Sequence, residues 1–342
     1  MQNRASIGRF RMTQYESVPA ERLIDYDLVI LGVSWESRST CAISSIGLQK
    51  TPNLCIRFAS SDPEVLALKD ANESKLRAHF ENPTILNLSS SISFQENATS
   101  VEKILVTLSQ DRGRPLKILL DITALPKSYC AFIVGVGFGR DLLGRLDFVY
   151  TEGSYTWETP DPGAPDGPHS IISEGEWSSL QVPYLEAQET IPSSRDLLVE
   201  IGGEIGYSLP FVERYEPIRL GLIFIKDGVD PVLANRNEEI AYRTLIAEPK
   251  VTREDLPIGD VIGVVNHIHS FCGSEPDRVV TGLAIGSKAH AVAMALAAVD
   301  IENLEVVCRI PTSYRWSDVA PTGRAFFYSV QDRFEPTSYF GS

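Results

Sequence analysis

Positive charge is scarce in this chain. Its 342 residues include 31 lysines and arginines against 45 aspartates and glutamates, a formal net charge of −14 at pH 7. Such a surface repels a duplex phosphate backbone, which excludes duplex DNA as a partner and leaves room only for a local basic pocket that takes a small anion. Cysteine is sparse as well. Cys41, Cys55, Cys130, Cys272 and Cys308 sit in apolar runs, with no CxxC pair and no histidine at metal spacing. They read as reduced, buried thiols, and no metal is expected. Long hydrophobic runs are missing, because none reaches the roughly 18 residues a membrane helix needs. The N-terminus MQNRASIGRFRMTQYESVPAE has basic residues with no apolar stretch behind them, unlike a secretory signal. A cytoplasmic protein with no membrane partner is the expectation. Neither GxGxxG nor GxxxxGK[ST] occurs, and neither does GxSxG or HExxH. The absences remove the dinucleotide fingerprint, the phosphate loop, the nucleophile elbow and the zinc-protease helix, and no cofactor is expected.

What is present is a repeated alternation of short apolar runs and helical stretches. Leu28 to Leu31 is a continuous apolar run ending in Gly32, followed by runs at Leu54–Phe58, Ile85–Leu88, Ile118–Leu120 and Leu146–Tyr150. Runs apolar on both faces suit strands of a parallel sheet covered by helices. Between them, Ser61-Asp62-Pro63 opens a helix over Glu64 to Phe80, and Val101, Ile104, Leu105 and Leu108 make a helical stripe within Ala98 to Gln110. The order recurs later. Strands are expected at Leu220–Ile225, Asp260–Val265, Arg278–Leu283, Leu304–Val307 and Ala325–Val330, and helices at Asn237–Ile246 and Ala289–Ala298. The segment 158–168, ETPDPGAPDGP, holds four prolines and two glycines and reads as a loop. Residues 193 to 215 read as a helical connection.

Two short matches point to duplication. Asp121-Ile-Thr-Ala-Leu-Pro-Lys127 ends one strand and starts a helix, and Gly282-Leu-Ala-Ile-Gly-Ser-Lys288 does the same 161 residues later. Each leads through an apolar helix and a further strand to Ser-Tyr-x-Trp, at 154–157 and again at 313–316. The expected fold is therefore α/β, with two Rossmann-like parallel-sheet units related by internal pseudo-duplication, over 1–192 and 193–342.

In open parallel sheets, ligands sit beyond the carboxyl ends of the strands, where the strand order reverses. The candidate residues follow from the loops at those ends. After the first strand come Ser34, Glu36 and Arg38, where backbone N–H groups favour an anion and Arg38 can fork onto phosphate or carboxylate. The competing reading is a Glu36–Arg38 surface pair beside a Trp35 packed on the sheet edge. After the fourth strand Asp121 leaves the sheet, Thr123 can cap, and Lys127 stands at the helix start. In the second half Gly286 relaxes the backbone, Ser287 can cap, and Lys288 sits in the first turn. A cation at a helix N-terminus opposes the macrodipole, and its occurrence at two matched positions suggests an anion that helix and lysine hold together. His290, two residues on, can contact a ligand or act as acid or base near neutrality. His267 and His269 share one face if that segment is a strand, but no third metal ligand is evident. Tyr155, Trp157, Tyr314 and Trp316, with Arg315 and Arg324, can stack a base or anchor a hairpin.

The turn Gly282 to Lys288 resembles the strand–[GT]-x-x-GTK–helix element of CARF domains, with Ser287 in place of Thr; Asp121 to Lys127 is a more distant version without the glycine pair. The duplicated layout resembles the related SAVED domains, in which two such units share one chain. The resemblance covers two turns and the layout, and no nuclease or protease effector domain follows. It implies a sensor of a nucleotide second messenger in bacterial antiviral defence, with a protein effector as a second partner.

Three functions stay open on the sequence. The first is a sensor that binds a nucleotide or another phosphorylated small molecule between the two units, held by Lys127, Lys288, Arg38 and Ser287. The second is a nucleotide-processing hydrolase, a phosphodiesterase or N-glycosidase using the same cleft, with Asp121, Glu36 or His290 as the catalytic group. The third is a partner protein whose ligand site has decayed. Paired with Arg38, Glu36 is better suited to orienting it than to proton transfer, which favours binding without turnover.

Overall fold

The computed structural model describes residues 2–20, 24–155, 173–187, 195–202, 208–228, 242–314 and 318–334. The chain divides into two compact units, Met1–Ser154 with Trp316–Ser342, and Tyr155–Arg315.

In the first unit five strands run parallel: β3 (Leu28–Val33), β4 (Asn53–Phe58), β5 (Ile85–Leu88), β6 (Leu116–Asp121) and β7 (Leu143–Tyr155). Their order across the sheet is β7-β6-β3-β4-β5. The chain steps outward from β3 to β5, returns to lay β6 on the other side of β3, and so reverses direction between β3 and β6. That is the doubly wound arrangement, with its crevice at the carboxyl ends of the two central strands. Every residue of β3 is buried, as its unbroken apolar run requires when helices cover both faces. Helix α1 (Cys41–Ser44) is short. Helix α2 (Pro63–His79) starts where Asp62 accepts from the backbone N–H groups of Glu64 and Val65, with Pro63 in the first turn. Helix α3 (Phe94–Arg112) stops at Gly113, whose φ of 60° is the left-handed conformation a glycine adopts without strain. Helix α4 (Lys127–Gly139) is buried all round from Ser128 to Phe138.

Three further strands extend this sheet beyond β7. The hairpin β1 (Gln2–Ile7) and β2 (Phe10–Tyr15) pairs through β2 with β14 (Val319–Asp332), which lies next to β7. Phe148 stacks on Tyr328, Tyr150 on Phe326, and Glu152 meets Arg324. Steps of two along β7 are thus matched by steps of two backward along β14, the antiparallel register.

The second unit repeats the plan. Strands β9 (Arg195–Ile201), β10 (Leu220–Ile225), β11 (Val251–Leu256), β12 (Val279–Leu283) and β13 (Leu304–Tyr314) are parallel, in the order β11-β10-β9-β12-β13. β8 (Ser173–Gln181) pairs antiparallel with β13. Helices α5 (Leu209–Tyr215), α6 (Val261–Gly273) and α7 (Lys288–Asp300) connect the strands, and residues 242–246 are helical as well. Both units therefore carry the same five-strand order with one antiparallel strand beyond the fifth. The structure is the duplicated Rossmann-like α/β fold that the sequence led us to expect.

The boundaries differ from those expectations. β8 follows β7 in the chain but belongs to the second sheet, and β14 follows β13 but belongs to the first. A division at residue 192 would assign both strands to the wrong unit. Residues 193–215 are not a helical connection throughout: β9, a central strand of the second sheet, lies within them, and among their described residues only Leu209–Tyr215 is helical. Asp260 to Val265 is not a strand. It is the capped start of α6, where the Asp260 carboxylate accepts from Gly263 N–H at 2.9 Å. The loop at 158–168 lies outside the described residues.

Candidate functional site

The crevice of the first unit is lined by the loops that follow β3 and β6. Both run close together: a Cβ at Gly32 would stand 3.1 Å from the Ala124 backbone carbon, tight enough that the β6 loop would have to give way.

Arg38 and Glu36 lie on this edge, but not as a surface pair. Arg38 is 1% exposed and Glu36 6%. Arg38 Nε donates to Glu36 Oε2 at 2.6 Å, and Nη1 donates to the Thr151 carbonyl at 3.1 Å. Its guanidinium lies 5.9 Å from the Tyr150 ring, and a Cβ at Gly153 would come within 2.6 Å of Nη1. The side chain is thus a strut between the β3 loop and the end of β7, and its burial removes it as the fork onto phosphate expected from the sequence. Ser34 is buried too, and Asn72 on α2 donates to the carbonyls of Ser34 and Glu36 at 2.8 and 3.1 Å.

Asp121 closes β6 with its carboxylate 2% exposed, and its Oδ1 accepts from Thr123 N–H at 2.9 Å. Thr123 does not cap α4. Its hydroxyl accepts from Thr151 N–H at 2.9 Å and ties the loop to β7. The N-cap position is Pro126, which offers no side-chain cap. Lys127, half-buried, then opens the helix as expected. Cys41 is exposed, not buried as expected, whereas the other four cysteines are buried. Partial desolvation still raises its thiol pKa, with Lys75 opposing and Asp121 adding to the shift, so all three groups share this end of the sheet.

One functional candidate here was missed by sequence reasoning. Lys69 on α2 is 3% exposed and donates to the Phe58 carbonyl at the end of β4 at 2.8 Å. Its ammonium is 5.7 Å from the Trp35 ring, and burial, with Arg57 nearby, lowers its pKa to about 8. A lysine inside an amphipathic helix gives no sequence signal of burial. Only its place beneath the Trp35 loop reveals it.

The second crevice is built differently. Ser287 accepts from His290 N–H at 3.1 Å and caps α7, as expected. Lys288 is half-buried in the first turn, in the place Lys127 takes in the first unit. Gly286 is not there for relaxation alone: a Cβ would stand 2.8 Å from Glu200 Cβ, so the loop presses directly onto β9. His290 is fully buried. Its Nε2 lies 2.9 Å from the Pro257 carbonyl, which makes Nε2 the protonated nitrogen. Burial holds it below the ordinary imidazole range. It ties the loop after β11 to α7, and Asp227 ties that same loop to the one after β10 by accepting from Ile258 N–H at 2.6 Å. His267 and His269 lie on a helix, beside Glu254 at 3.9 Å and Asp300 at 3.4 Å respectively, not on one strand face. No group of three His, Cys, Asp or Glu side chains placed to hold a metal occurs among the described residues. Of the aromatic candidates, the side chains of Tyr155, Trp157, Tyr314 and Trp316, with Arg315, lie outside the described residues. Arg324 pairs with Glu152 at 3.3 Å and lies over Phe326.

A second matched feature, unread in the sequence, sits at the opposite edge of each sheet. Asp27, just before β3, takes both Nη atoms of Arg114 at 2.8 Å. Asp196 at the start of β9 takes Arg219 Nε at 2.8 Å and faces Arg278 at 3.5 Å. In each unit a buried aspartate at the start of the central strand faces an arginine that precedes the fourth strand, Arg114 or Arg278. The shared Asp-Leu opening of β3 and β9 was the available signal.

No family model matches the chain, and no curated protein is similar to it in sequence. Among solved structures, the cytoplasmic domain of a prokaryotic cation chloride cotransporter aligns at 9% identity and a TM-score of 0.23, covering 84% of this chain and 96% of that one. A universal stress protein from Archaeoglobus fulgidus DSM 4304 aligns at 10% identity and a TM-score of 0.22, covering 82% and 95%. The fold assignment rests on the strand order. No helix among the described residues is long and apolar enough to cross a membrane.

Proposed function

We propose that the protein binds a nucleotide or another phosphorylated small molecule at the carboxyl edges of its parallel sheets, and holds it without turnover, as a sensor. The observation that carries this reading is the pair of lysines, Lys127 and Lys288, each the first residue of the helix after the fourth strand of its sheet. A lysine there opposes the helix dipole, and an anion at the same point offsets the cost. Binding is favoured over hydrolysis because two of the three acid–base candidates are committed elsewhere, Glu36 to Arg38 and His290 to the Pro257 carbonyl, which leaves Asp121 for the test to decide. The resemblance to CARF and SAVED domains extends the proposal to a cyclic oligonucleotide as ligand, a protein effector as partner, and antiviral defence as setting.

The test is incubation of the whole chain with a panel of cyclic and linear nucleotides, followed by calorimetry and chromatography. A bound nucleotide recovered intact is the expected result. Lys288→Ala and Lys127→Ala should each weaken it about ten- to a hundredfold, the loss of a charge-assisted contact of roughly 1.5–3 kcal/mol. Turnover abolished by Asp121→Asn with binding retained would overturn the sensor and make Asp121 a catalytic carboxylate.

A further inference from the structure

The first unit has a groove at the edge of its sheet opposite the switch point. It opens where β3, β4 and β5 begin, has a volume of about 630 Å³, and is floored by Leu28 and Leu54. One wall is the loop 49–53 and the turn before β5; the other is a face of α3. The volume lies within the range that holds a small organic ligand, roughly 300–1,000 Å³.

Helix α3 explains why the groove exists. Its apolar arc is wider than the sheet covers. Val101 and Leu105 are fully buried, whereas Ile104 and Leu108, one step round the helix, stay partly exposed and line the groove. Above them Lys50 and Lys103 flank the opening, with Asp111 in the lining. Lys103 stands over Ile104 on the same helix, at the edge of that apolar strip. Lys50 is 4.0 Å from Glu81, at the limit of an ion pair. Thr51, also in the lining, is buried with a hydroxyl that meets no hydrogen-bond partner.

We propose that this groove binds a small amphiphilic anion, an apolar ring or short chain carrying one carboxylate or sulfonate. The apolar body lies along Ile104 and Leu108, and the acid group faces Lys103 and Lys50. The proposal is independent of the nucleotide reading, because it uses the other edge of the sheet and none of the same residues.

The test uses 1-anilinonaphthalene-8-sulfonate, an apolar ring system with one sulfonate, titrated into the full chain by fluorescence. One saturable site is expected. Lys103→Glu and Leu108→Glu should each weaken it at least tenfold, while Lys103→Arg and Leu108→Met retain it. Both positions face solvent or the groove, and unchanged thermal melts of all four variants confirm folding. An affinity unmoved by either glutamate variant, or fluorescence that never saturates, overturns the proposal. So does sedimentation showing a dimer that Leu108→Glu converts to monomer, which would assign the face to a second copy of the chain.

Discussion

The two units share a strand order but place the buried carboxylate of their strand ends on opposite sides of the crevice. In the first, β3 carries no charged residue and the buried carboxylate on a central strand, Asp121, stands at the end of β6. In the second, β12 ends in Leu283, and the buried carboxylate is Glu200, on β9. The glycine that permits close approach moves as well, from Gly32 on the strand of the first unit to Gly286 on the loop of the second. The first unit fills its crevice with an ion pair, Glu36–Arg38. The second stitches its loops with a neutral imidazole. Duplication thus preserved the backbone path and the position of one lysine per unit, while the supporting polar network was rebuilt separately in each.

That comparison breaks most sharply at Arg38. Arg38→Ala leaves Glu36 buried without its counter-charge, which typically costs about 3–5 kcal/mol. Hydrogen exchange should show the loss in peptides of the first unit and spare β9 to β13. Adding Glu36→Gln should recover part of it. A loss spread evenly over both units would mean that the two networks are not separate.

Acid should act in the other direction. Burial holds His267, His269 and His290 in the second unit below the usual imidazole value, against His79 alone among the described histidines of the first. Each stays neutral in the folded chain at a pH where the unfolded chain takes up a proton. The unfolded state then binds more protons, and stability falls as pH drops below about 6.5. Between pH 7 and pH 5 exchange protection should decline more in the second unit than in the first, and His290→Gln should flatten that decline.

The smallest effect sharpens the contrast between the two lysine turns. Ser287→Ala removes the cap of α7 and should cost about 1 kcal/mol in a thermal melt. The first unit has no such cap to lose, because Pro126 fills the position.

The parallel strands of both sheets were legible where they are apolar, and so was the equivalence of Lys127 and Lys288. β9 escaped because Arg195, Asp196 and Glu200 interrupt its apolar run, and the neutralising arginines that make such a strand buriable lie far away in sequence. β11 escaped because an edge strand, VTREDL, needs few apolar residues. The start of α6 read as a strand because a short apolar run has no period to distinguish the two, although the Asp260 cap was there to decide it. At the site, the residue types were visible in the sequence but their availability was not. Arg38, Thr123 and His290 all lie at the strand ends the sequence singled out, yet each spends a hydrogen bond on the backbone of a strand or loop distant in sequence.

The position of β14 has a consequence for how the protein is made. It lies between β2 and β7, so the N-terminal hairpin has no neighbour to pair with until the chain has been synthesised past residue 332. On the ribosome the five parallel strands of the first sheet can assemble early, but its outer third must wait, with β1 and β2 emerging first and docking last. During that interval the edge of β7 is an open template, and a nascent chain carries it for the whole time the second unit is being translated.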